Sequence, residues 1–350
     1  MDITKSSTEL ISSFTIIIPV IHSLEDAEKC IASLDNIDYP KDCFQVVLVD
    51  CHVLSGVQNF FKEKIHKYGF NLNVLSLPEH PEAPKSWLIE SRINEARNYA
   101  VQKIPGECYV FTEDDCAFEP DWLYKIESAL TKEVGAIGGP DLLPEGMDWF
   151  PQALDCLLNS YLGTAGMRRG DGRQKDQYYP RKENMAIPSR ILDRVGNFPE
   201  EMPIGGKLEM ARRIVDAGFE IRFLADNPVW HRRVTTFRNF VRLTSYMASM
   251  KVKLMRRQQK FTRSLHFYVF MATIASIIIG LFSLINNNAR ILLVVMIGIY
   301  LVSLIINVFL SAIRTRSLSV GMGVLLLIPA HHISLIVGII KGVFTRIKTC

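Results

Sequence analysis

The chain changes character near residue 264, and that change limits what it can fold into. Up to about residue 260, short apolar runs alternate with polar, periodic stretches. From His266 onward three long apolar segments follow, Phe267 to Ile285, Ile291 to Ala312 and Val320 to Ile340. Each is about long enough to cross a hydrocarbon layer of ~30 Å as a helix, and the third is interrupted by Pro329 and the pair His331-His332. A hydrophobic content of 48% is therefore a surplus held at one end, not an average property. The formal charge of +4 is too small for a nucleic-acid binder. It is also placed elsewhere: Lys251, Lys253, Arg256, Arg257, Lys260 and Arg263 directly precede the first apolar segment, which marks a cytoplasmic side attracted to anionic lipid.

Before that cluster, Phe237, Phe240, Val241, Thr244 and Met247 recur at helical spacing. A helix lying in the membrane surface and one packed on the soluble part both satisfy the pattern. Three crossings from a cytoplasmic domain would leave Lys341, Arg346 and Lys348 outside, so the third segment is expected to be re-entrant or partly interfacial. Seven cysteines without a CxxC pair predict no disulfide framework or zinc site, and fit a reducing compartment. Met1 to Ser13 is polar, so translocation of the soluble part is not expected.

In the first part, Phe14 to Ile18 reads as a strand, Leu24 to Leu34 as a helix, and Phe44 to Val49 as a strand ending in Asp50. Leu72 to Leu77, Ser91 to Gln102 and Cys108 to Thr112 continue as strand, helix and strand. Such alternation predicts an α/β fold with a mainly parallel, doubly wound sheet and a ligand crevice at the carboxyl ends of its strands. The last of these strands runs into three consecutive carboxylates, Glu113-Asp114-Asp115. Carboxylates this close repel one another and resist burial unless a cation or donors offset them. Hard oxygen ligands at a parallel strand end suit a magnesium or manganese ion bound to a diphosphate. A solvated acidic turn before Pro120-Asp121-Trp122-Leu123 is the plain alternative. Gly163 to Lys182, rich in Gly, Arg, Lys and Gln, reads either as a mobile loop over the site or as a flexible surface connection with no role.

Taken in order, Phe14-Thr-Ile-Ile-Ile-Pro19-Val20, Asp38-Tyr39-Pro40, Val47-Leu-Val-Asp50, Ala96-Arg97-Asn98 and Phe111-Thr-Glu-Asp-Asp-Cys116 with Pro120-Asp-Trp-Leu123 form a pattern. Asn184-Met185-Ala186, Val195-Gly196-Asn197-Phe198 and Val229-Trp230-His231-Arg232-Arg233 extend it, as does Pro329-Ala-His331-His332 with Gly338 and Gly342. The chain resembles the inverting family 2 glycosyltransferases of GT-A fold, in the subgroup with a membrane-embedded C-terminus. The resemblance implies a nucleotide-sugar-binding catalytic domain over residues 1–235, a basic interfacial helix over 236–263, and a membrane region of two to three helices over 264–350. It implies Mg2+ or Mn2+ held by Glu113, Asp115 and His231, and a donor held by Pro19, Asp50, Arg97, Asp114 and Asn184. The expected partners are a nucleotide diphosphate sugar, a lipid-linked or glycan acceptor and membrane lipids, with the catalytic domain cytoplasmic on a multi-pass membrane protein.

Three positions depart from the family pattern. Cys51 replaces the second aspartate of a DD pair, Glu113 replaces the first aspartate of DxD, and Gly206-Lys207 stands where an acidic pair supplies the general base. Three accounts of Lys207 stand open. An acceptor that is already an anion, such as a polyprenyl phosphate, needs no base, and a cation would hold it. Alternatively Glu209, Glu200 or Glu201 acts as base from a shifted position. In the third account the protein is a pseudoglycosyltransferase that binds sugar nucleotide or a partner without turnover.

Overall fold

Phe14–Val20 is rich in β-branched side chains, which favour an extended backbone. In the computed structural model it forms β1 (Phe14–Val20), buried on both faces along its whole length. The structure describes residues 13–78, 89–164, 180–200, 206–233, 235–257, 275–276 and 278–344. They fall into two compact units, 1–144 with 172–233, and 145–171 with 234–350.

The first unit is built on β1, β2 (Phe44–Asp50), β3 (Asn71–Ser76) and β4 (Cys108–Phe111), all mutually parallel. Phe14 on β1 faces Phe44 on one side and Cys108 on the other. Further along lie β5 (Cys116–Phe118), β6 (Val134–Gly138), β7 (Asp141–Leu142), β8 (Met185–Pro188), β9 (Glu220–Phe223) and β10 (Val229–His231). The main sheet runs β3-β2-β1-β4-β8-β6-β9, with β8 antiparallel to both β4 and β6 and with β6 parallel to β9. The parallel half expected from sequence is thus joined to an antiparallel insertion, giving a mixed sheet. A second sheet, β5-β10-β7, starts directly after the carboxylate triplet.

Helices α1 (Leu24–Asp35), α2 (Val57–Lys62), α3 (Ile89–Lys103) and α4 (Trp122–Ala129) follow their strands as the alternation predicts. Ser23 caps α1, its Oγ accepting from Asp26 N at 2.9 Å and donating to Asp26 Oδ2 at 2.8 Å. The two faces of the sheet are covered separately. Ile16, Ile18, Val46 and Leu48 pack with Ala27, Ile31 and Leu34 of α1, whereas Ile17, Val47 and Val49 pack with Ile93, Ala96 and Ala100 of α3. Alternate residues of each strand therefore enter opposite cores, and each fully buried aliphatic side chain contributes roughly 1.5–3 kcal/mol. β1 lies between β2 and β4, where the strand order reverses, so the ligand crevice belongs at the ends of β1 and β4.

The intervening helices are α5 (Trp149–Leu158), α6 (Tyr161–Thr164), α7 (Ser189–Val195) and α8 (Gly206–Asp216), followed by α9 (Phe237–Arg257), α10 (Asn287–Thr315) and α11 (Leu318–Phe344). Of these, α5, α6 and α9 to α11 make the second unit. Helices α10 and α11 are long and apolar enough to cross a membrane, at about 40 Å each by the helical rise. α10 exposes Ile291, Val294, Ile297, Ile305 and Phe309. The interruption expected at Pro329 does not occur, and α11 runs unbroken through it. α9 packs on α11: a Cβ at Gly342 would lie 2.8 Å from Val252 Cβ, and one at Gly338 would meet the Ser245 carbonyl and Ala248 Cβ. Small residues four apart let the two backbones approach this closely. His331 donates to Gly163 O at 3.0 Å and His332 to Leu162 O at 2.8 Å, which satisfies two carbonyls at the end of α6. Of the first apolar segment, residues 275–276 and 278–285 are described, whereas Lys260, Arg263 and most of Gly163 to Lys182 lie outside the described residues.

Candidate active site

β4 ends one residue before Thr112, and Glu113, Asp114 and Asp115 then turn the chain into β5 with 1%, 0% and 4% of their surface exposed. A solvated acidic turn is excluded by that burial. Three consecutive side chains leaving an extended segment point in different directions, and the three carboxylates do different work.

Asp114 faces β1. Its Oδ2 accepts from Ile21 N at 2.8 Å and His22 N at 2.9 Å, and its Oδ1 lies 2.6 Å from His22 Nδ1. Expected from resemblance on the donor, Asp114 ties the chain just after β1 to the end of β4. Burial lowers the proton affinity of His22, but the hydrogen bond to Asp114 and the charges of Asp115, Asp114 and Glu113 outweigh it and raise the imidazole to about 9.

Glu113 and Asp115 face a shared cleft with residues brought from distant parts of the chain. Antiparallel pairing of β10 with β5 sets His231 opposite Cys116, so its ring stands beside the triplet. His231 Nε2 is 3.3 Å from Asp115 Oδ2 and 4.0 Å from Glu113 Oε2, and Nδ1 is 3.6 Å from Asp141 Oδ2 and 3.9 Å from Glu183 Oε1. Ligand atoms of Glu113, Glu183 and His231 lie within 4.8 Å of one another, as do those of His22, Glu113 and Asp115. His231, Glu113 and Asp115 therefore lie together in one cleft. His22, Asp141 and Glu183 join them, and no periodicity or run in the sequence marked these three. Glu183 directly precedes the Asn184-Met185-Ala186 segment, which was the available signal.

Electrostatics in this cleft is a contest between burial and opposite charge. Burial opposes ionisation of Asp115, yet His231, His22 and Lys182 hold it well below the usual carboxylate range. Glu183 is held down to about 2 against its burial, chiefly by Lys182 and His231 and with a contribution from Lys207. His231 is raised to about 10 despite burial, by Asp115, Asp141 and Glu183. Lys182 Nζ sits 2.6 Å from Glu113 Oε1, and Arg233 donates to Asp141 Oδ2 at 2.8 Å from Nη2.

The residues fit a divalent cation. Glu183 Oε2 and His231 Nδ1 are buried without a hydrogen-bond partner, which is costly unless something else satisfies them. Carboxylate oxygens with one imidazole suit Mg2+ or Mn2+. Among the described residues this is the region where both candidate metal groups lie.

The remaining expected site residues divide. Pro19 is paired with Val49 near the end of β1, and Asp50 ends β2, 5% exposed, with Oδ1 accepting from His52 N at 2.8 Å. Arg97 is buried, stacked 5.7 Å from the Phe111 ring centroid and 5.4 Å from that of Phe198, and donates to Lys182 O at 2.8 Å. Its visible work is to position the backbone of Lys182. Asn184 is similarly spent on the fold, accepting from Trp122 Nε1 at 3.2 Å and donating to Asn227 O at 2.8 Å. Glu209 accepts from Arg212 Nη2 at 2.8 Å and Arg213 Nε at 3.2 Å, and these arginines lower its proton affinity against burial. A carboxylate so engaged is a poor base. Lys207 stands in the first turn of α8, and Glu201 lies outside the described residues.

The model of a family described as "Glycosyltransferase like family 2" matches residues 12–258. The glycosyltransferase AglE of Haloferax volcanii is 23% identical over 219 residues, covering 63% of this chain and 66%, just under two thirds, of that protein. Among solved structures, the mannosyltransferase PcManGT of Pyrobaculum calidifontis, in complex with GDP-Man and Mn2+, superposes with a TM-score of 0.65 at 16% identity, covering 97% of this chain and 89% of that one. GalNAc-T7 with UDP, GalNAc and Mn2+ gives 0.50 at 13% identity over 75% of this chain and 51% of that one. The likeness to these structures is one of fold, GT-A, and the family match spans most of the chain: it belongs to the glycosyltransferase-like family 2.

Proposed function

We propose that the chain is a membrane-anchored glycosyltransferase that moves a sugar, with inversion, from a nucleotide diphosphate donor to an anionic lipid-linked acceptor such as a polyprenyl phosphate. The observation that carries this reading is the meeting of Glu113, Asp115, Glu183 and His231 in the crevice where the strand order reverses. Those four residues would hold Mg2+ or Mn2+, and the cation when bound neutralises charge developing on the departing diphosphate. Asp50 and Pro19, at the neighbouring strand ends, would contact the nucleoside end. A neighbour of the same fold was captured with GDP-Man and Mn2+, which makes that pair the first to test.

The preference for an anionic acceptor rests on Lys207 and Glu209. Glu209 is held ionised by two arginines, while the Lys207 charge is felt at Glu183, on the metal side of the cleft. A phosphate oxygen is ionised at neutral pH and needs no base, so a cation beside it serves better than a carboxylate. The apolar helices α10 and α11 suit a lipid-borne substrate, with the α/β unit on the cytoplasmic side by the placement of basic residues. A pseudoglycosyltransferase is the second reading, favoured by the same absence of a carboxylate at residue 207.

Turnover separates the two. The detergent-solubilised full chain is incubated with a donor panel led by GDP-mannose, Mn2+ and membrane lipid extract, and nucleoside diphosphate release is followed. Release that is lost in Asp115→Asn supports the enzyme. Binding of donor with no release from any donor and lipid fraction supports the pseudoenzyme.

A further inference from the structure

We propose that Lys182 is the resident counter-ion of the carboxylate cleft and that a divalent cation enters by displacing its ammonium from Glu113. The inference rests on the metal reading above and concerns how the site survives before the metal arrives. Glu113, Asp115, Asp141 and Glu183 are all buried, and so many carboxylates without nearby positive charge would cost several kcal/mol each. Lys182 meets this need at one edge. Its Nζ is 2.6 Å from Glu113 Oε1 and 3.9 Å from Glu183 Oε1, the same two carboxylates that share a candidate metal group with His231.

Its attachment suits a movable charge. Arg97, stacked between Phe111 and Phe198, grips the Lys182 carbonyl, so the backbone is held. The side chain is still 22% exposed, and its four-carbon stem can swing the ammonium outward without moving that carbonyl. A divalent cation held by Glu113 and an ammonium on the same carboxylate would be near neighbours and would repel strongly in a buried site. The two therefore compete for Glu113, and the native lysine weakens the site for metal alone while keeping it folded without metal.

The test is Mn2+ binding to the detergent-solubilised full chain, read by the electron paramagnetic resonance signal of free Mn2+, without donor or acceptor. Lys182→Met is expected to tighten Mn2+ about 5- to 10-fold, and Lys182→Arg to restore the native affinity or weaken it. Unchanged or weaker binding in Lys182→Met, with wild-type binding abolished by Asp115→Asn, overturns the counter-ion role and leaves the metal reading standing. No Mn2+ bound by either wild type or Lys182→Met overturns both. A measurement on wild type stands even if the variant does not fold: acetylation of Lys182 by acetic anhydride, followed by mass spectrometry, should rise several-fold on adding Mg2+ while the surface residue Lys29 stays constant. Labelling of Lys182 that is unchanged or falls with Mg2+ overturns the proposal.

Discussion

Replacing Asp114 should damage the fold in a way that depends on pH. In Asp114→Ala two backbone amides, Ile21 N and His22 N, lose a fully buried acceptor, as does the His22 ring. Each donor left unsatisfied costs about 1–3 kcal/mol, so the loss should be on the order of 3–5 kcal/mol. Asp114→Asn isolates the charge, because its side-chain oxygen still accepts from the two amides. What it forfeits is the bond to a protonated His22, on the order of 2 kcal/mol. The sign follows from His22, raised from 6.5 to about 9 in the folded chain. A group raised on folding stabilises fully below its unfolded value and stops doing so as pH rises through the folded one. Wild type should therefore melt about 4–8 °C above Asp114→Asn at pH 6, taking roughly 2–4 °C per kcal/mol for a domain of this size, and the gap should close by pH 10. Thermal unfolding by circular dichroism, in detergent with a chelator present, reads this directly. An equal gap at both pH values, or no gap at pH 6, would refute the assignment of Asp114 as a charged clip between strands.

Other perturbations give distinct outcomes. Glu183→Gln should weaken Mn2+ binding at least 10-fold, because it removes a buried charged oxygen that has no protein partner; Mn2+ titration checks it. Glu209→Gln should lower stability by about 1–2 kcal/mol through its arginines while leaving nucleoside diphosphate release within about threefold of wild type, because a carboxylate held by two arginines is a poor base; melting and release assays together test both halves. Gly338→Leu should destabilise the second unit by about 1–3 kcal/mol, because any Cβ there runs into the Ser245 carbonyl and Ala248, and size-exclusion chromatography in detergent with thermal unfolding reads the damage. Chelation of divalent ions should abolish nucleoside diphosphate release, and added Mn2+ should restore it.

The legible parts of this protein are those whose signal is local. β1, β2 and β4 are apolar runs stopped by a change of residue type, and α1 announces itself by the apolar periodicity of Leu24 to Leu34. β5, β7 and β10 are two or three residues long, too short for any period to register, yet they assemble the sheet that delivers His231 and Asp141. β8 was equally unmarked as an antiparallel insertion, and it is β8 pairing with β4 that brings Glu183 up beside Glu113. Arg97 and Asn184 were found by pattern and placed on the donor, and the pattern gave no sign of the bonds they make to Lys182 O, Trp122 and Asn227 O. A motif reports that a residue matters and not which neighbours it meets.

Residue chemistry alone determined that a parallel α/β half would form, that its fourth strand would end in carboxylates needing positive charge, and that the C-terminal quarter would be helical and apolar. These follow from side-chain period, branching and charge along a few consecutive residues. Which carboxylate turns to the metal cleft and which to His22, which lysine answers them, and which glycines let α9 and α11 close were decided only by tertiary structure. Such partners lie up to 118 positions apart, as His231 and Glu113 do, and strand register rather than sequence spacing sets the distance between them.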